Sequence, residues 1–117
     1  MRSVAVIALL LTSLAACGGL QSERADPHPR ESDELHAREW HDRVVRLEGE
    51  AAEAAASSDD CGTVCPLAIR ACELTARICD LANRDDGDEG TRVLCEDAEP
   101  RCASARGAAA SRCECPG

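Results

Sequence analysis

The chain has 117 residues, with 22 acidic side chains against 13 arginines, no lysine and a formal charge of −9. That balance argues against binding nucleic acid or anionic lipid head groups, both of which need basic patches. Trp40 is the only aromatic residue, which excludes a core built on stacked aromatic rings, whereas nine cysteines offer another way to hold the chain together.

Arg2 precedes an apolar run from Val4 to Leu11, and Leu14-Ala15-Ala16-Cys17 follows. A basic start, a short apolar stretch and small residues describe an export signal. The run is too short to cross a bilayer core, which takes roughly 20 apolar residues. Leu14 to Cys17 resembles the lipobox of bacterial lipoproteins, and no position within residues 1–17 departs from that pattern. The resemblance implies diacylglyceryl transfer to the Cys17 sulfur, cleavage between Ala16 and Cys17, and acylation of the new amino group. Together with the patterns read below, it suggests a signal peptide (1–16), a lipidated N-terminus with a flexible tether (17–30) and a cysteine-rich helical domain (31–117). The expected address is the cell envelope, with the membrane held through the lipid on Cys17. Position 18 is Gly rather than the Asp that resembles an inner-membrane retention signal, so a Gram-negative host implies the outer membrane.

An odd cysteine in an exported protein has to be explained. Assigning Cys17 to lipid leaves Cys61, Cys65, Cys72, Cys79, Cys95, Cys102, Cys113 and Cys115. In an oxidising compartment eight cysteines in one small domain read as four disulfides.

The tether carries Gly18-Gly19 and Pro27-His28-Pro29 and has no apolar period. From Glu31 to Ser57 the spacing predicts a first helix, with Ala37, Trp40, Val44, Leu47, Ala51 and Ala54 alternating three and four apart. Ser32 is the expected N-cap, and Trp40 the expected core anchor. Glu34/Arg38, Glu39/Arg43 and Asp42/Arg46 are acid-before-base pairs suited to an exposed helix face.

Residues 65–85 are three sevens in register, beginning at Cys65, Cys72 and Cys79. On a helix the cysteines lie at one edge of the apolar arc, Leu67, Leu74 and Leu81 at the other, and Arg70, Arg77 and Arg84 point away. One edge can be bonded to one helix while the other packs on a second, so the pattern predicts an all-α, disulfide-stapled three-helix bundle. Pro66 belongs in a first turn, which places the expected start near Thr63 to Cys65. The acidic stretch Asp85 to Gly90 reads as a turn, and Thr91 as the cap of a third helix running towards Arg112. Pro100 predicts a kink or break near Ala98–Glu99. The larger apolar residues available for a core are few: Leu35, Trp40, Val44, Val45, Leu47, Val64, Leu67, Ile69, Leu74, Ile78, Leu81, Val93 and Leu94. Alanine supplies much of the rest and buries little area per residue.

Eight cysteines allow on the order of a hundred connectivities. In an antiparallel helical hairpin, facing residue numbers have a constant sum. Cys79 with Cys95 and Cys72 with Cys102 share one sum, and seven residues rise about 10.5 Å on each helix, so both bridges form together. Cys61 with Cys113 has that same sum, leaving Cys65 with Cys115; the exchanged pairing of these last four is nearly as good.

Three chemistries are weighed against structural readings. Asp85 to Glu96 partly matches a calcium-binding loop, but Gly87 and Arg92 stand where a ligand and an apolar residue belong, so an acidic turn is the expectation. Cys113-Glu114-Cys115 lacks the spacing and helix N-terminus of an exchange-active dithiol, so structural bridging is expected. His28, His36 and His41 do not share a helical face, and oxidised cysteines do not bind metal, so no metal site and no cofactor are expected. No catalytic constellation is apparent. The chain resembles the small cysteine-rich helical lipoproteins of high-GC Gram-negative bacteria, through the lipobox and the Cys-x-Leu-Ala heptads. That resemblance implies a non-enzymatic structural or interaction module with an envelope protein partner. The alternatives are an envelope binding module for a metal ion or small ligand, for which an alanine-rich core has little volume, or a thiol–disulfide redox protein.

Overall fold

A computed structural model describes residues 29–84 and 87–116, and these form three α-helices. They are α1 (Pro29–Ser57), α2 (Cys61–Ala82) and α3 (Glu89–Ala110). Every pair packs together. Ion pairs Arg84–Asp33 and Arg112–Asp59 set the direction: α1 starts where α2 ends, and α1 ends beside the end of α3. The bundle therefore runs up, down and up, with α1 and α3 parallel.

Each helix starts earlier than its sequence signals suggest. α1 begins at Pro29, inside the expected tether, so Ser32 lies within the helix rather than at its cap. Proline suits a first position, where its missing N–H and fixed φ cost nothing. α2 is capped by Asp60, whose side chain accepts from Gly62 N–H at 3.0 Å. Pro66 is thus the sixth helical residue and removes one ladder bond, that to the carbonyl of Gly62, without ending the helix. α3 is capped by Asp88 instead of Thr91. Asp88 Oδ1 accepts from Thr91 N–H at 2.7 Å, and the buried Thr91 hydroxyl bonds Oδ2 at 3.1 Å. Aspartate outranks threonine as a cap because its carboxylate also meets the positive helix end. Glu89 and Gly90, read as turn, are helical. α3 runs through Pro100 as one helix and stops at Ala110, where the expectation was a break near Ala98–Glu99. Between α2 and α3, a Cβ on Gly87 would stand 2.4 Å from the Ala82 carbonyl oxygen, so the turn closes only on glycine.

The core is small and lies in two clusters. Ala51, Ala55, Val64, Cys65, Ala68, Ala71, Ala105, Ala109 and Cys113 fill the end near Ser57. Ala37, Val44, Leu74, Ile78, Leu81, Ala82, Cys95 and Ala98 fill the other, and Leu47 packs against both. Along α1 the heptad divides unevenly: Ala37, Val44 and Ala51 are fully buried, while Trp40, Leu47 and Ala54 are half-buried flanks. Trp40 is therefore not the buried anchor. Its ring edges the core, stacked on His36 (centroids 5.9 Å apart) with the Arg77 guanidinium 6.0 Å away. Leu35, Val45 and Val93, read as core candidates, are exposed at 63, 38 and 53%. Of the three i,i+4 pairs on α1, Glu34–Arg38 and Glu39–Arg43 form and Asp42–Arg46 does not.

The alanines have a positive role here. Along the α2–α3 seam Ala68, Ala71, Ala98, Ala105 and Ala109 are at most 2% exposed. Bridged Cα atoms across that seam stand 4.8 to 5.6 Å apart. Helices whose contacts carry large side chains pack with axes about 8–10 Å apart; only methyl-sized neighbours let the cysteines of facing turns meet.

Candidate functional site

The seam is a ladder of four disulfides. Cys79–Cys95 and Cys72–Cys102 are the inner rungs, with Cα separations of 4.9 and 4.8 Å. Cys61–Cys113 and Cys65–Cys115 tie the start of α2 to the segment after α3 at 5.6 and 5.4 Å. Cys113 and Cys115 therefore belong to separate bridges and do not form a vicinal exchange pair. The C-terminal segment is brought round by Cys113 N–H bonding the Ala109 carbonyl at 2.8 Å.

Helix α1 contains no cysteine, and its hold on α3 is partly polar. His41 Nε2 stands 2.5 Å from Asp97 Oδ2. A carboxylate only accepts, so the imidazole N–H donates. Arg101 Nε donates to the same oxygen at 2.7 Å and Arg101 Nη1 to Glu48 at 3.1 Å. The Arg101 guanidinium, and then His41, hold the Asp97 carboxyl below its ordinary value, while Asp97 in turn raises Arg101. Within α2 the buried Thr75 hydroxyl bonds the Ala71 carbonyl at 2.9 Å and reaches the Ala98 carbonyl at 3.4 Å, so it adds no orphan polar group to the seam.

A groove of about 470 Å³ opens where α2 and α3 approach their bridged ends. Its walls include Ala68, Ile69, Ala76, Ala109, Ala110 and Pro116, with Glu73 and Arg106 at the polar margin. Small side chains were expected to leave little volume for a ligand. On the outside of the seam they do the opposite, because no large side chain fills the space between the helices.

Several candidate residues are drawn apart. The calcium-loop reading fails because Glu89 to Glu96 are already helical and cannot wrap an ion. His36 stacks on Trp40 and His41 binds Asp97, so the two histidines serve different contacts. His28, Ala16 and Cys17 lie outside the described residues. Sequence reasoning missed Glu99. Its Oε1 lies 3.7 Å from Cys79 Sγ and 3.8 Å from Cys95 Sγ. Bridged sulfurs carry no proton, so these are contacts and not hydrogen bonds. Cys95 and Glu99 are i,i+4 on α3, a spacing that already placed the carboxylate on the cysteine face.

No protein-family model, no curated protein and no solved structure matches the chain. Among the described residues no helix is long and apolar enough to cross a membrane.

Proposed function

We propose that the protein is a lipid-anchored lipoprotein of the bacterial cell envelope whose disulfide-stapled domain serves as a non-enzymatic structural or interaction module. One observation carries the reading. The four bridges use eight of the nine cysteines, and the ninth is Cys17, at the end of Leu14-Ala15-Ala16-Cys17. Two or three acyl chains on that residue hold a protein on a membrane far better than one, and an acidic, lysine-free domain stays soluble beside it. The division of labour is tested by Cys17→Ser in the native host. The variant is expected in the soluble fraction with all four bridges intact. Firm membrane association, or scrambled bridges, refutes it. Crosslinking in native membranes is expected to recover a recurrent envelope protein; none recovered counts against an interaction role.

The groove favours a second reading, an envelope binding module for a small apolar ligand. Saturable binding of an environment-sensitive apolar dye that disappears in Ala76→Trp, whose side chain would occupy the groove, supports it. Binding unchanged by that substitution removes it.

A further inference from the structure

We propose that the groove between α1 and α2 at Arg43, Arg46 and Arg70 binds the phosphoryl group of a small soluble phosphate monoester. A break in an otherwise regular seam points to it. Arg70, Arg77 and Arg84 stand seven apart on α2, and the antiparallel register sets them against Leu47, Trp40 and Asp33, themselves seven apart on α1. Arg84 bonds the Asp33 carboxylate at 3.3 Å, and the Arg77 guanidinium lies 6.0 Å from the Trp40 ring. At the third step the pattern changes. Arg70 meets the apolar Leu47, with Arg43 and Arg46 beside it, around a groove of about 290 Å³. Three guanidinium side chains from two helices line that groove, and Glu50 is the one acid among the lining residues.

The cations are available. Among the described residues Arg46 and Arg70 take part in no ion pair, and Arg43 reaches only Glu39, at 3.5 Å. Like charges that converge raise the energy of the groove, and one dianion held between them removes that repulsion. Leu47 is half-buried and packs against both core clusters. It gives the groove an apolar wall, against which attraction between charges is stronger than in open water. The net charge of the chain conceals this local excess of arginine.

The number of cations selects the anion. A carboxylate has one charge and two oxygens, which a single guanidinium can satisfy through two parallel hydrogen bonds. A phosphate monoester carries nearly two charges at neutral pH and three terminal oxygens, one for each arginine. The planar donor fork of arginine matches those oxygens better than an ammonium does. The ligand is small and soluble, because the chain as a whole carries a formal charge of −9 and repels an extended anionic surface.

The test is calorimetric titration of the full chain, bridges oxidised, with inorganic phosphate at low ionic strength. One equivalent is expected to bind saturably and to be displaced by glycerol phosphate, and acetate should bind about 10-fold more weakly or worse. Arg46→Gln and Arg70→Gln should each weaken phosphate binding about 10-fold, with helical circular dichroism unchanged. Arg92→Gln, on α3 where that side chain pairs with Glu89, should leave it as in the parent. Glu50→Gln should tighten it several-fold, since it removes the charge opposing the ligand, an effect that a merely structural role would not produce. Equal affinity of Arg70→Gln and the parent, no tightening in Glu50→Gln, or acetate bound as well as phosphate overturns the proposal. So does displacement of phosphate by phosphatidic acid vesicles but not by glycerol phosphate, which would mark a membrane contact instead.

Discussion

The two terminal bridges should be worth much less singly than their loop lengths imply, and more together than apart. Cys61–Cys113 spans 52 residues and Cys65–Cys115 spans 50. Closing such a loop in an otherwise free chain is worth about 4 kcal/mol in the chain-entropy account. Here each bridge acts on a chain that its neighbour has already closed. With Cys65–Cys115 intact, Cys61–Cys113 completes a ring of only about eight residues, which the same expression values at about 2.5 kcal/mol. Removing both leaves Cys72–Cys102 as the next closure, and the first terminal bridge to be restored then closes about 22 residues, worth about 3.3 kcal/mol. The double removal should therefore cost about 6 kcal/mol against about 5 for the sum of the single removals, a coupling near 1 kcal/mol. Replacing each cysteine pair by alanine and following denaturant unfolding by circular dichroism gives the four corners of the cycle. Single losses near 4 kcal/mol, or strict additivity, would refute the reasoning that neighbouring bridges share one entropic constraint.

Other outcomes follow from the packing and the polar contacts. Ile78 is the largest fully buried side chain, and Ile78→Ala should cost about 3 kcal/mol by leaving a cavity between helices that the bridges prevent from collapsing; a thermal midpoint within error of the parent would contradict this. Asp88→Ala removes both the bond to Thr91 N–H and that to its hydroxyl, and an equilibrium unfolding loss of about 1 kcal/mol is expected. Asp97 titrates below its ordinary value of 3.8 because Arg101 and His41 bind its charged form. A depressed folded value contributes stability that is present above the unfolded value and lost as pH falls through the folded one. The side chain is 46% exposed, so screening reduces that contribution to about 0.5 kcal/mol. The deficit of Asp97→Asn should accordingly be seen at neutral pH and fade as pH falls through the folded value; a deficit that grows on acidification has the wrong sign for this account.

The helix α2 repeat shows why part of this fold can be read along one dimension. Cysteines seven apart recur on one helix edge, and an antiparallel partner with cysteines at the same interval has to face them in a definite register. Those relations need only periodicity, and three helices with linked α2 and α3 follow from it. Helix starts are less legible because Ser32 and Thr91 are plausible caps, and Pro66 a plausible first-turn residue, when viewed alone. Pro29, Asp60 and Asp88 take precedence once backbone amides and neighbouring side chains are in place. The attachment of α1 is not legible at all. His41 meets Asp97, and Glu48 meets Arg101, across 56 and 53 residues with no repeat to announce them.

The amino-acid sequence alone determined the number of helices, the face each presents and the residues that can be joined, since these depend on spacing along the chain. The tertiary structure decided what the alanines do. Read singly they are weak contributors to a core, with little surface to bury. Packed in a row between α2 and α3 they allow Cα separations of 4.8 Å at the Cys72–Cys102 rung, leave the outer groove unfilled, and bring Glu99 against both sulfurs of the Cys79–Cys95 rung. The physical reason is steric: how closely two helices approach depends on the side chains of both at once, and no single helix carries that information.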